Sequence, residues 1–266
     1  MALAVGTGPF GKQGGGAFNF EVDAPKGHTL YFEDSPRRVR AVFGGETVAE
    51  SDNVKMLHET GYLPTYYFPI EDTNQDLLET TDHTTHCPFK GDAAYWSVRA
   101  GGEVAENAVW GYPEPLESSP IPENYVAIYF GAMDQWFEED EEITVHPRDP
   151  YHRVDVRAGS RHVKVTVNGE AVAESDHPKI LFETGLPPRY YLPPEDVNQD
   201  LLSPSETVTH CPYKGAASYW SAEINGETIE DVAWSYPDPL PEAAKAEGHY
   251  CFLGEDVETE VDGEPV

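Results

Sequence analysis

Cysteine is scarce in this chain, with three residues, Cys87, Cys211 and Cys251, among 266. None belongs to a Cys-x-x-Cys pair, which excludes a four-cysteine zinc site within one domain. So small and odd a count argues against a disulfide scaffold and for a reducing, cytoplasmic setting. Basic residues are also few: 17 Lys and Arg stand against 48 Asp and Glu, giving a formal net charge of −31. Nucleic-acid affinity rests on Lys and Arg neutralising phosphate, so nucleic acid is excluded as a partner. An anionic membrane surface would be repelled for the same reason. No stretch approaches the ~18 uninterrupted apolar residues of a membrane span, and no basic flank followed by an apolar run suggests a signal peptide. The acid is spread over both halves, with concentrations at 138–142 and 255–264. A spread acidic surface is a device of proteins adapted to high salt, and that reading is favoured over an acidic interaction tail.

What the chain has in abundance is repetition. Thr85-His86-Cys87-Pro88-Phe89-Lys90-Gly91 returns as Thr209-His210-Cys211-Pro212-Tyr213-Lys214-Gly215, an offset of 124 residues. The same offset carries Tyr66-Tyr67 to Tyr190-Tyr191, Asp72 to Asp196, Tyr95-Trp96-Ser97 to Tyr219-Trp220-Ser221, and Trp110 to Trp234. A period this long means two copies of a domain rather than a solenoid. The expected organisation is a lead-in over 1–27 with a flexible Gly-rich tail, a first domain over 28–148 and a second over 152–262.

Strand signals dominate both copies. Val163-Lys164-Val165-Thr166-Val167 alternates apolar and polar residues and meets Asn168-Gly169, a type I′ hairpin signal. Tyr66-Tyr67-Phe68-Pro69 and Tyr190-Tyr191-Leu192-Pro193 are aromatic strands ended by proline. Helices are expected to be short, over 52–59 and 75–78. Each domain is therefore predicted to be a small, mainly β, antiparallel structure.

The sharpest local motif is Cys-Pro-[Phe/Tyr]-Lys-Gly. Proline suits the second position of a β-turn, which places the flanking Cys and Lys within ~7 Å at Cα. A lysine ammonium there would raise the thiolate fraction of Cys87 or Cys211. One reading is an activated thiol in each domain, with Lys90 or Lys214 as electrostatic partner and Asp72 or Asp196 as orienting group or proton acceptor. The other is a half-buried cysteine ahead of a structural turn. In Tyr-Tyr-x-Pro-x-x-Asp, alternation sends one tyrosine to the core and the other to the opposite face. Tyr66, Tyr67, Tyr190 and Tyr191 are thus candidates for a pocket wall as well as for core positions. Tyr95, Trp110, Tyr219 and Trp234 are further ligand candidates, although most of the repeated tryptophans read as core. Arg37 and Arg161 also match across the copies, and each could clamp an anion.

Taken together, Glu-Thr-Gly, Tyr-Tyr-x-Pro-x-x-Asp, Thr-x-Cys-Pro-x-Lys-Gly-x-Ala, Tyr-Trp and Trp-x-Tyr-Pro resemble the domain-of-unknown-function family 427, in two tandem copies that cover nearly the whole chain. The resemblance implies a small all-β domain of the β-tent type, similar in topology to methionine sulfoxide reductase B domains. Those relatives hold zinc with paired Cys-x-x-Cys knuckles, so metal and reductase chemistry do not carry over. The family sometimes bears a nucleotidyltransferase-like label. No Gly-Ser motif with paired Asp and no Gly-rich phosphate loop supports that activity here. The cofactor is therefore unassigned, with no metal, zinc knuckle or nucleotide loop. The expected function is a small-molecule site in each domain, with catalysis undecided. The alternatives are a non-catalytic module recognising a ligand or peptide through an aromatic pocket, and a purely structural or partner-binding protein. Duplication makes the chain a pseudo-dimer in itself, as a monomer or as a further dimer.

Overall fold

A computed structural model describes residues 3–6, 8, 10–12 and 27–266. The chain divides into two compact units, Met1–Tyr151 and His152–Val266. In the first, β1 (Leu30–Asp34), β2 (Val39–Phe43), β3 (Glu46–Ser51), β4 (Lys55–Glu59), β5 (Thr65–Pro69), β6 (Leu78–Cys87), β7 (Gly91–Ala100), β8 (Glu103–Pro115), β9 (Tyr125–Ile128), β10 (Gln135–Glu138) and β11 (Glu141–Ile143) follow in order. They form a seven-stranded antiparallel sheet, β1-β4-β5-β9-β8-β7-β6, and a four-stranded one, β11-β10-β2-β3.

The second unit repeats the plan. Its strands are β12 (Val154–Ala158), β13 (Val163–Val167), β14 (Glu170–Ser175), β15 (Lys179–Glu183), β16 (Arg189–Leu192), β17 (Leu202–Cys211), β18 (Gly215–Ile224), β19 (Glu227–Ser235), β20 (Tyr250–Phe252), β21 (Val257–Val261) and β22 (Glu264–Pro265). Its sheets run β12-β15-β16-β20-β19-β18-β17 and β14-β13-β21-β22. Helical structure is confined to short 3-10 turns such as Gln75–Leu77 and Gln199–Leu201. No helix among the described residues is long and apolar enough to cross a membrane.

The large sheet of each unit buries both faces. On one face Tyr66, Phe68, Val98 and Val109 pack against Val39, Ala41 and Trp136 of the small sheet. On the other, Leu57, Tyr67, Tyr95 and Tyr112 form a separate aromatic cluster with Cys87 and Trp110 at its margin. Val163, Leu192 and Ala233 reproduce the first cluster in unit two, and Leu181, Tyr191 and Tyr236 reproduce the second. Period-two alternation does the sorting: within Tyr66-Tyr67 and Tyr95-Trp96, each neighbour goes to the opposite face.

Two expectations need correction. Residues 52–59 form no helix; Lys55–Glu59 is β4, paired to β1 and β5. The expected loose Gly-rich tail is anchored where it is described: Ala4 is buried, the Gly61 N–H donates to its carbonyl at 2.7 Å, and Thr60 Oγ1 donates to Phe10 O at 2.9 Å. The rest of the 1–27 lead-in lies outside the described residues.

Candidate site: a buried His–Glu–Lys triad beneath an aromatic cleft

The Cys-Pro-x-Lys-Gly segment joins β6 to β7. Lys90 N–H donates to Cys87 O at 3.3 Å, and Lys214 N–H to Cys211 O at the same distance, which closes the expected β-turn. Glycine is required after the lysine because its φ is +109° at Gly91 and +99° at Gly215. A Cβ at either position would also come within 3.2 Å of a carbonyl oxygen, of Glu114 or Asp238.

The lysine's charge partner is a carboxylate rather than the neighbouring thiol. Lys90 Nζ donates to Glu59 Oε2, and Lys214 Nζ to Glu183 Oε2 at 2.5 Å. The other carboxylate oxygen meets a histidine: His28 Nε2 lies 2.8 Å from Glu59 Oε1, and His152 Nε2 lies 3.0 Å from Glu183 Oε1. The aromatic residue of the turn covers that histidine. Phe89 stacks on His28 at 3.9 Å between centroids, and Tyr213 lies over His152 at 4.0 Å. The turn therefore delivers a lysine to a glutamate on β4 or β15 and a ring to the histidine just before β1 or β12.

Burial of these charges is offset by their mutual pairing. In unit two, burial opposes ionisation of Glu183, but the hydrogen bond with His152 and the Lys214 ammonium outweigh it and hold the carboxyl at about 2. The ammonium held against each carboxylate would repel an approaching metal cation.

Above the triad in unit one lies a cleft of about 920 Å³ whose wall includes Tyr67, Tyr95, Trp110, Tyr112 and Cys87, with Lys90 and Glu59 at its floor. The corresponding cleft in unit two is about 350 Å³, with Tyr191, Tyr219, Trp234 and Tyr236 over Lys214 and Glu183. Burial pushes the Tyr67 phenol well up from its ordinary value, with Tyr112 and Glu59 adding to the effect. Burial likewise raises Tyr112, Tyr191 and Tyr236, so these hydroxyls stay protonated and able to donate. Trp234 Nε1 donates to Tyr191 OH at 3.1 Å, which fixes the indole edge-on to the ring.

The sequence candidates divide as follows. Cys87, Lys90, Tyr66, Tyr67, Tyr95 and Trp110 line the first cleft, and Lys214, Tyr191, Tyr219 and Trp234 line the second. Cys211 is half-buried beside the second aromatic cluster but outside the cleft lining. Asp72 accepts a hydrogen bond from Ser51 Oγ at 2.5 Å, and both Asp72 and Asp196 sit in 3-10 turns away from the clefts. Arg37 pairs with the buried carboxylate of Glu138, which also accepts from Tyr66 OH; Arg161 is exposed and lines neither cleft. Tyr190 faces a different, smaller hollow. Sequence reasoning missed His28, His152, Glu59 and Glu183 as site residues. The signal was available, since all four obey the 124-residue offset of the lysines.

A family model described as Domain of unknown function (DUF427) matches residues 31–139 and again 155–263. No curated protein matches the chain.

Proposed function

Since this chain belongs to the DUF427 family as two tandem domains, we propose that each domain binds a small molecule with a flat apolar part in the cleft above its His–Glu–Lys triad. The observation that carries this reading is the duplicated triad: His28–Glu59–Lys90 and His152–Glu183–Lys214 have the same pairing, each at the floor or edge of an aromatic-walled cleft. Within each triad the lysine and glutamate charges cancel, and both clefts offer aromatic faces and protonated phenols as recognition groups. Volumes of 920 and 350 Å³ fall within the ~300–1,000 Å³ typical of small-molecule sites.

The test uses the full chain labelled with 5-fluorotryptophan and titrated with phenol and indole. Of the five tryptophans, Trp110 and Trp234 line the clefts, Trp96 and Trp220 pack into the inter-sheet cores, and Trp136, which does both, is left out of the comparison. The Trp110 and Trp234 resonances are expected to move saturably while those of Trp96 and Trp220 stay still. Movement of all four together, or of none, contradicts the reading.

A second reading, covalent chemistry at Cys87, is favoured by the place of that thiol in the cleft wall. It requires Cys87→Ala to abolish turnover of a ligand found through the Trp110 signal. A binding module would keep its affinity in that variant.

A further inference from the structure

The two clefts share a floor but differ at the rim. At the 124-residue offset, Tyr62 is replaced by Leu186, Tyr129 by Leu253 and Thr65 by Arg189. Two bulky aromatic positions thus become aliphatic, and a neutral one becomes cationic. Arg189 opens β16 two residues before Tyr191, so it shares the cleft face with that tyrosine, and it lines the cleft. Most other arginines of this acidic chain are paired: Arg37 with Glu138, Arg38 with Asp140, Arg99 with Glu79, Arg153 and Arg157 with Asp155. No carboxylate among the described residues lies within ion-pair distance of Arg189.

A second difference lies across the same cleft. β18 and β19 slip register between Trp220 and Ala222, and the resulting bulge holds Asp231 at φ +53°. Asp and Asn tolerate that left-handed conformation better than most side chains. Asp231 Oδ2 accepts from Thr207 Oγ1 at 2.8 Å, whereas its Oδ1 is buried with no donor among the described residues. A buried acceptor without a donor is destabilising, so a bound group that donates to it would be stabilised. Asp231 lines cleft two; its counterpart in the first bulge is Asn107, a neutral amide that is not part of the cleft-one lining.

We propose that cleft two is specialised for a small amino acid or hydroxy acid, whose carboxylate is met by Arg189 and whose ammonium or hydroxyl donates to Asp231 Oδ1. Cleft one, with Thr65 and Asn107 at these positions, takes the uncharged ligand. The inference rests on the small-molecule reading above and adds the ligand class of one of the two sites. The charge count agrees with it. Lys214 and Glu183 cancel, which leaves one cation and one acceptor oxygen for a ligand that carries their complements. The ring or alkyl part of the acid then lies against Tyr219 and Trp234 within the 350 Å³ cleft.

Four probes with one phenyl ring separate the contributions: benzyl alcohol, benzoate, mandelate and phenylglycine, titrated into the 5-fluorotryptophan-labelled full chain. At Trp234, mandelate or phenylglycine is expected to bind at least tenfold more tightly than benzyl alcohol and more tightly than benzoate. The stronger of the two identifies the donor as hydroxyl or ammonium. Arg189→Thr installs the residue the first unit already carries at this position, and should lose the tenfold advantage. Asp231→Asn should reduce mandelate or phenylglycine binding to the level of benzoate. Benzyl alcohol binding as well as the acids, or Arg189→Thr leaving acid affinity unchanged, overturns the proposal. Saturable phenol binding at Trp110 with no response of Trp234 to any acid also overturns it while leaving the small-molecule reading intact at cleft one. Silence of both tryptophans to every probe removes both.

Discussion

Replacing Glu183 by glutamine removes the anion that reconciles Lys214 with a buried position. The Glu183 side chain is 6% exposed and the Lys214 side chain 13%, so solvent screens the pair little. The folded carboxyl at about 2, against 4.5 for an unperturbed glutamate, corresponds to about 3 kcal/mol of stability at neutral pH. Because the folded value is the depressed one, this contribution is complete above about pH 4.5 and is lost as pH falls through about 2. At pH 3 roughly 1.4 kcal/mol of it should remain. Glu183→Gln also leaves the ammonium without its counterion, a change that costs ~3–5 kcal/mol where a buried pair is broken. Urea unfolding of the full chain, followed through the fluorotryptophan signals of Trp220 and Trp234, reports the second unit. The stability gap between wild type and Glu183→Gln should narrow by about 2 kcal/mol between pH 7 and pH 3. A gap that does not change with pH refutes the assignment of Glu183 as an ionised, paired carboxylate.

Cys251 is fully buried, and burial pushes its thiol up to about 12. Native protein treated with iodoacetamide at pH 8 should therefore be modified at Cys87 and Cys211 well before Cys251, as peptide mass spectrometry would show; early labelling of Cys251 contradicts its place in the core. Gly91→Ala and Gly215→Ala place a Cβ at φ near +100° and 3.2 Å from a carbonyl oxygen. Each should cost about 1–3 kcal/mol in urea unfolding, and a neutral effect would mean that the turn is not held as described.

Local pattern made the hairpins legible. Asn168-Gly169 and Asn225-Gly226 both adopt positive φ at both positions, as type I′ turns require. The misreading of residues 52–59 has a physical cause. In β4, Met56, Leu57, His58 and Glu59 are all buried, because the large sheet is covered on both faces. A strand buried on both sides loses its alternation and cannot be told from a helix by period. Gly61 follows in the turn after that strand with φ +87°, the same left-handed conformation a glycine at a helix end adopts. The error hid Glu59, and with it the triad, since a glutamate at a helix end implies no buried partner.

The duplication, the antiparallel β class, the glycine-closed turn and the polar–aromatic composition of each site follow from the one-dimensional chain, because propensity, period and self-similarity act over neighbouring residues or a fixed offset. Which side chain neutralises each lysine was decided only by folding. Residues 28, 59 and 90 are 31 apart in each step, and 152, 183 and 214 repeat that spacing. Nothing local links them until antiparallel pairing of β1 with β4, and of β12 with β15, sets histidine against glutamate and the turn swings the ammonium onto the remaining oxygen. A buried charge must find its counterion in space, and only the tertiary structure says where that is.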